Sequence, residues 1–173
     1  MPTPDFVLRL RDKIGHDELW LSGVTAVVLR DAAVSDDDGE VEPDADAAPE
    51  VLLVKRADNG EWTAVTGIID PGEPPAVAAE REVLEETAVT AVAERLVRVH
   101  VEDRVVEYPN GDRSRYLDLV FRCSWVSGEP YPADGENVEA AWFPADALPP
   151  MREDHRVRIE VALADEPEAR FQR

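Results

Sequence analysis

The sequence predicts an α+β fold, an α/β/α sandwich in which a mixed β-sheet lies between helices. Three observations predict it. Short β-branched segments alternate with a few segments of helical spacing. The length of 173 residues suits one domain with a real core, and 44% of the residues are hydrophobic, as in globular proteins. We therefore expect a single domain over residues 1–173, without internal repeats.

The first third of the chain predicts one helix and two strands. Residues 4–14 have near-helical apolar spacing behind a Thr-Pro start and form the helix of an N-terminal extension, 1–17. Segments 19–29 and 51–57 are apolar and β-branched, so they predict strands that pair with each other. Between them, residues 31–50 hold nine acids and no base, which predicts a poorly ordered acidic loop.

The rest of the chain predicts a central helix, further strands and a C-terminal helix. The central helix begins at a Pro-Pro pair, where missing N–H groups cost nothing, and ends near Thr87. A Pro-Asn-Gly-Asp run predicts a hairpin turn. In order, we expect strands within 91–107, 116–125 and 138–142, a helical turn at 144–148, and a C-terminal helix and tail over 151–173.

Charge excludes several classes of partner. With 38 acids against 18 bases, the net charge is −20, which repels a nucleic-acid backbone or an anionic membrane. No apolar stretch is long enough to span a bilayer and no secretory signal is present, so we expect a cytoplasmic protein. Cys123, the single cysteine, lies in an apolar segment and is expected to be a buried structural thiol, and the three histidines show no ligand spacing.

The segment 67–89, which reads GIIDPGEPPAVAAEREVLEETAV, carries the strongest functional signal. Glu82, Glu85 and Glu86 fall three and four residues apart, so a helix places all three on one face. Like charges so placed repel by about 0.2–0.5 kcal/mol per pair, and a hard divalent cation such as Mg²⁺ or Mn²⁺ would offset that cost. A solvated acidic face is the alternative in so acidic a chain. The apolar Val77, Val83 and Leu84 are expected to point away from the carboxylates and pack on the sheet.

At these residues the chain resembles the Nudix (MutT-like) hydrolase family. Its box requires Gly, five residues, Glu, seven residues, then Arg-Glu-apolar-any-Glu-Glu-any-Gly-apolar. The matching residues are Gly67, Glu73, Arg81, Glu82, Val83, Glu85, Glu86 and Val89. Ala88 stands where the family has glycine, usually with a left-handed backbone, and an alanine there would cost on the order of 1 kcal/mol.

The resemblance implies a mixed curved sheet between helices, with the box as loop–helix–loop. It implies hydrolysis of a diphosphate linkage by water, with a divalent metal held by Glu82, Glu85 and Glu86 and often by the Gly67 carbonyl. The same glutamates include the catalytic base, although its identity varies within the family. Arg81 would hold the carboxylates by charge-assisted hydrogen bonds, and Glu73 would orient that arginine or bind a further metal or the substrate.

Outside the box, a few residues are candidates for the same site. Glu136 lies in a loop where family members often place an extra acidic ligand, so it is a candidate catalytic and metal-binding residue; Glu139 is the second choice. Arg56, at a strand end, is a candidate phosphate partner, with Arg113 and Arg115 as weaker ones. Tyr108 and Trp62 are aromatic candidates for stacking on a base or ribose, although core packing fits Trp62 as well.

Two further functions and the substrate stay open on the sequence. A catalytically silent nucleotide-sensing module is the main alternative to an active diphosphatase, and a prenyl-diphosphate isomerase, which would need a catalytic cysteine, is a minor one. The sequence does not separate ADP-ribose-like substrates from nucleoside triphosphates. A homodimer is possible, because the N-terminal helix offers an apolar face while the acidic charge opposes association.

Overall fold

The computed structural model describes residues 3–35, 41–43, 47–164 and 166–172. Across these ranges the chain forms three helices and eleven strands. Their order is α1 (Asp5–Ile14), β1 (Leu19–Arg30), β2 (Ala33–Ser35), β3 (Val41–Pro43), β4 (Glu50–Arg56), β5 (Trp62–Thr63), β6 (Val65–Ile68), α2 (Pro75–Thr87), β7 (Thr90–Val101), β8 (Val106–Glu107), β9 (Arg113–Ser127), β10 (Asn137–Pro144), α3 (Glu153–Leu163) and β11 (Arg170–Phe171).

One mixed sheet contains all of these strands except β2 and β3. Its main path runs β10-β4-β1-β9-β7-β11, while β5, β6 and β8 pair with β4, β1 and β9. The β1–β9 and β7–β11 pairs are parallel and the others antiparallel. As predicted, β1 and β4 pair across the acidic segment, with Leu29 opposite Val51.

The two faces of the sheet carry separate cores because successive side chains of each strand point to opposite sides. On β1, Val24, Ala26 and Val28 pack with Ala79 and Val83 of α2. The intervening Val27 and Leu29 pack with Ile159 and Ala162 of α3. Helices therefore cover both faces, which confirms the predicted α/β/α sandwich. None of the three helices in the described part of the chain is long and apolar enough to cross a bilayer.

Two local predictions differ from the structure. Segment 144–148 is a turn closed by the Ala147 N–H on the Pro144 carbonyl, not a helix, because Pro149 and Pro150 oppose helical backbone at the residues before them. In the acidic segment, β2 and β3 pair in antiparallel fashion, a ribbon that the sequence did not indicate. The prediction of poor order there falls partly on 36–40 and 44–46, which lie outside the described residues.

Helix α2 ends at Ala88 in the left-handed conformation that the box glycine usually supplies. Its φ and ψ are 57° and 13°, and its N–H donates to the Leu84 carbonyl at 3.0 Å. In the described chain it is the one residue other than glycine with positive φ. The predicted helix end is therefore kept, and the left-handed alanine costs on the order of 1 kcal/mol.

Candidate active site

Arg81, in the middle of α2, is the centre of an ion-pair cluster with the loop before the helix. Its Nε and Nη2 donate to the two oxygens of Glu73 at 2.8 and 2.9 Å, a bidentate pair. Its Nη1 donates to Glu82 at 2.9 Å and to Glu85 at 3.2 Å, and Nη2 also reaches the Ile68 carbonyl at 3.3 Å. These contacts raise the Arg81 pKa above its ordinary value, the hydrogen bonds to Glu73 being the largest cause. Arg81 is therefore a fixed cation that ties the loop before α2 to the helix.

Glu82 is a fully buried carboxylate pressed against Gly67. A Cβ built on Gly67 would lie 1.9 Å from the Glu82 Cδ, so only glycine leaves room for this side chain. Its Oε1 accepts from Arg81, whereas its buried Oε2 has no hydrogen-bond partner among the residues that the structure describes. Burial raises the Glu82 pKa to about 7, with Glu85 acting in the same direction and Arg81 opposing it. A buried carboxylate oxygen without a partner is costly, and a cation would remove that cost.

Glu86, one turn further along α2, is the second buried carboxylate. Its Oε2 accepts from Asn137 Nδ2 at 2.9 Å. Burial raises its pKa to about 8, the charges of Glu82 and Asp134 add to the rise, and the Asn137 hydrogen bond opposes it. A carboxyl group of this kind changes protonation near neutral pH, which suits either proton transfer or metal binding.

Glu85 differs from its neighbours because its side chain is about half exposed. The three glutamates do share one side of the helix, but Glu82 and Glu86 lie on the face that packs on the sheet, alongside the fully buried Val83. The prediction that Val77 and Leu84 pack on the sheet was wrong, since they are 50% and 52% exposed. The acidic side of α2 is its inner side, so a plain solvated acidic face does not describe it.

The donor set fits a hard divalent cation. It offers carboxylate oxygens, one of them buried and without a partner, beside a glycine backbone that no other residue type could replace. Across the described residues no three acidic, histidine or cysteine side chains stand together as a ready cation cage, since Arg81 lies between the carboxylates. A cation at Glu82 would therefore compete with the guanidinium for carboxylate oxygens.

A cavity of about 610 Å³ lies beside this cluster, over the α3 face of the sheet. Gly67 and Ile68 line it, and the same two residues contact Glu82 and Arg81, so the cavity and the carboxylates share the wall formed by β6. Helix α1 forms another wall through Val7 and Arg11.

Ion pairs neutralise several of the arginines in this cavity. Arg56 donates to both oxygens of Asp58 at 2.9 and 2.7 Å. Arg158 is buried and donates to Asp118 at 2.8 Å and to Glu102. In all, five arginines and eight carboxylates line the cavity over the described residues. An anionic diphosphate would find a net acidic lining there.

The structure places three of the candidates outside the box in this cavity. Arg56, Tyr108 and Glu136 all line it. The Tyr108 hydroxyl is 2.6 Å from that of Tyr116. Glu136 is exposed, and its carbonyl accepts from the Ala57 N–H, which fixes its loop to the end of β4.

The remaining candidates lie elsewhere. Trp62 does not line the cavity; it packs edge-on against Phe143, with ring centroids 4.8 Å apart. Glu139 approaches Lys55 at 3.7 Å, and Arg115 pairs with Glu18. Arg113 is 3.7 Å from Glu18 and does not line the cavity either. Glu73 contacts Arg81 and Asp70, which suits positioning of the arginine better than substrate contact.

Three site residues were missed by sequence reasoning. Asn137 holds Glu86, and its position one residue after Glu136 was the available signal. His155 and Arg158 stand three residues apart on α3, so helical spacing places them on one face, but nothing in the sequence indicated that this face meets Asp118 on β9.

Cys123 is buried as expected, and burial raises its pKa to about 12, which keeps it a thiol.

Comparison with known proteins agrees with this geometry. Residues 28–162 match the NUDIX domain family. The chain is 32% identical over 114 residues to a MutT-like protein of Streptomyces ambofaciens, covering 65% of this chain and 68% of that one. It is 32% identical over 118 residues to the human 8-oxo-dGDP phosphatase NUDT18, covering 66% of this chain but only 34% of that protein.

Among solved structures, an ADP-ribose pyrophosphatase from Streptococcus suis superposes with a TM-score of 0.59 at 20% identity, over 87% of this chain and 96% of that one. At that identity the likeness concerns the fold. The box residues, the sandwich and the family match agree, and this chain belongs to the NUDIX family of hydrolases.

Proposed function

We propose that this chain hydrolyses the diphosphate bond of a nucleoside diphosphate joined to another group, with Mg²⁺ or Mn²⁺ as cofactor and water as the nucleophile. The observation that carries the proposal is Glu82, a buried carboxylate with an unpartnered oxygen against a glycine that no larger residue could replace. Glu86 is also buried. The two carboxylates lack full compensation by positive charge, which a bound cation would supply.

The expected metal ligands are Glu82, Glu85, Glu86 and the Gly67 carbonyl, with Glu136 as a further candidate from the loop before β10. A bound divalent metal would polarise the phosphorus, neutralise the leaving oxygen and make a bound water more acidic. The contact of Glu82 with Gly67, which also lines the cavity, supports a site at which phosphates would enter from the cavity.

Proton transfer falls to the carboxylates whose pKa values lie near neutrality. Glu86, with a pKa of about 8 without metal, is the base we favour; once a cation lowers that value, its carboxylate takes the proton from water. Asn137 keeps the carboxylate in place by donating to its Oε2. Arg81 and Glu73 act as positioning residues, because their bidentate pair orients the guanidinium that holds Glu82 and Glu85.

The cavity suits the uncharged part of the substrate. Its carboxylates outnumber its arginines, so a bare diphosphate would be repelled and belongs at the metal, while a nucleoside or sugar can occupy the remaining space. The names of the relatives offer two classes, oxidised guanine nucleotides and ADP-ribose. Both carry the nucleoside diphosphate unit, so both are candidate substrates of this chain.

A substrate panel tests the proposal. Purified protein would be incubated with Mg²⁺ and ADP-ribose, NADH, diadenosine polyphosphates, dGTP, 8-oxo-dGTP and 8-oxo-dGDP, and released nucleotide, phosphate and pyrophosphate measured. We expect turnover of at least one compound, abolished by chelator and lowered by about 10²–10⁴-fold in Glu86→Gln.

Glu80→Gln is the matched control. Glu80 lies on the same helix, and its Oε1 accepts from the Ala93 N–H, a contact that glutamine keeps. Its turnover should equal that of the unaltered protein. Failure of every compound with both Mg²⁺ and Mn²⁺, while the protein still binds nucleotide, would instead favour the silent sensing module. The absence of nucleic-acid partners, a cytoplasmic location and a homodimer stay predictions from the sequence.

A further inference from the structure

One ring nitrogen of His155 on α3 lies within hydrogen-bonding distance of two side chains. Its Nδ1 lies 2.8 Å from the Thr63 hydroxyl and 2.9 Å from Nη1 of Arg158. A guanidinium only donates, so the Arg158 contact is a hydrogen bond when Nδ1 accepts, whereas the Thr63 hydroxyl also donates to the Ala64 carbonyl at 2.9 Å and does not by itself fix the tautomer. The proton of the neutral ring therefore sits on Nε2.

The groups that fix His155 are themselves fixed. Arg158 is 5% exposed and is held by Asp118, whose other oxygen accepts from the Thr25 hydroxyl at 2.8 Å. Thr63 is 2% exposed, so the Nδ1 edge of the ring faces the protein interior. His155 also lines the cavity, and Thr63 and Arg158 both lie at Nδ1, so these two contacts leave Nε2 available.

The surroundings keep this ring neutral. Burial, together with the charges of Arg158, Arg152 and Arg56, lowers the His155 pKa to about 4, and the charge of Asp154 opposes them. Protonation would also place an N–H on Nδ1 against the N–H of Arg158. At neutral pH the ring is thus a fixed donor at Nε2 without a positive charge.

A neutral donor is suited to a neutral acceptor. Cavity carboxylates outnumber arginines by eight to five over the described residues, so the anionic part of a substrate gains little there. Arg152, the other α3 arginine near His155, already donates to both oxygens of Asp154. The uncharged nucleoside is then the part of the substrate that this wall faces.

We propose that His155 is a specificity-determining residue whose Nε2–H donates a hydrogen bond to an oxygen or nitrogen acceptor of the nucleoside part of the substrate. The identity of the substrate rests on the proposed function, whereas the contact between the imidazole ring and a nucleoside can be measured without it. It assigns a binding role to a histidine that the sequence left without one.

Nitrogen NMR of the imidazole rings tests the tautomer directly. The His155 signals are assigned by their loss in His155→Gln. We expect the Nε2–H tautomer, unchanged between about pH 6 and 8, because the folded pKa lies well below this range. An Nδ1–H tautomer, or an imidazolium signal at pH 6, would overturn the proposal.

Titration with nucleosides tests the contact without any hydrolysis. In one titration, adenosine or 2′-deoxyguanosine is added at millimolar concentration to the unaltered protein. In a separate titration, Mg²⁺ and inorganic pyrophosphate are added instead. At least one nucleoside should shift the His155 Nε2 signals. No shift with either nucleoside, or a shift with pyrophosphate alone, contradicts the assignment.

Two variants connect the contact to turnover of the best substrate in the panel. His155→Phe removes the donor and the acceptor and should raise KM by about 3–10-fold, with a smaller effect on kcat. His155→Gln offers both groups and should recover part of that loss. An unchanged KM in a folded His155→Phe would overturn the proposal. If no compound is turned over, the proposed function fails, while the two NMR experiments still decide the role of His155.

Discussion

The two faces of the sheet bury charge in opposite ways. Under α2, Glu82 and Glu86 are buried with incomplete compensation, and burial raises both pKa values, to about 7 and 8. Under α3, Arg158 is buried between Asp118 and Glu102 with each partner in hydrogen-bonding contact. The α2 face therefore has buried carboxylates that positive charge compensates only in part, whereas the buried charges on the α3 face compensate one another.

This difference separates a reactive site from a wall. A buried acid without full compensation can gain free energy from a cation, so it favours binding and chemistry. A compensated network gains nothing from a ligand charge and holds its members rigid. The β6 wall at Gly67 and Ile68 is where the two meet, and under the proposed function the diphosphate would lie at this wall.

Breaking the compensated network should give the largest effect on stability. Arg158→Met leaves Asp118 and Glu102 buried without their cation, and we expect the free energy of unfolding to fall by about 3–5 kcal/mol in urea titration. Arg170→Met is the control, because the Arg170–Glu166 pair is solvent-exposed and should contribute far less to stability. Equal losses in both variants would show that the network is not a distinct unit.

The uncompensated face should respond to pH in the metal-free protein. The folded pKa values of Glu82 and Glu86 lie above the unfolded value, so their contribution is present below about pH 4.5 and is lost as pH rises through 7 to 8. We expect the free energy of unfolding to fall by about 2–4 kcal/mol from pH 5 to pH 8, and Glu86→Gln to flatten this fall. A rise in stability over this range in chelator would contradict the account.

Metal binding should release protons. Mg²⁺ requires ionised carboxylates, so its binding at pH 7 should release about one proton in total from Glu82 and Glu86. Calorimetry in buffers of different ionisation enthalpy measures that number. It should fall towards zero at pH 9, where both groups are already ionised, and Glu80→Gln should behave as the unaltered protein does. Release that is constant across pH would mean that other groups bind the metal.

The smallest effect concerns the end of α2. Ala88→Gly relieves a left-handed alanine and should raise the free energy of unfolding by up to about 1 kcal/mol. Ala164→Gly is the matched control, because Ala164 caps α3 with ordinary right-handed backbone, φ −62° and ψ −16°, and should lose stability. Thermal unfolding distinguishes them; a loss in both would mean that Ala88 is not strained.

Several features of the site could be predicted from residue spacing because they are local. The box fixes Arg81, Glu82, Glu85 and Glu86 on successive turns of one helix, and the position of Ala88 predicted its left-handed backbone. Other expectations failed because they depended on what lies across from a residue. Hydrophobicity suggested that Val77 and Leu84 face inward, yet the inner face is the one that carries the two buried glutamates.

By itself the sequence predicted the order of most elements from local periodicity, and the spacing of the box residues carried the resemblance to the family and singled out the carboxylates proposed for the chemistry. Only the tertiary structure decided which carboxylates are buried, that Asn137 holds Glu86, and that His155 and Arg158 meet Asp118 and Thr63 beside the cavity. Those facts depend on strand order and helix docking, which join residues 40 to 92 positions apart. Burial and hydrogen-bond partners set the protonation states, so the electrostatic contrast between the two faces exists only in the folded chain.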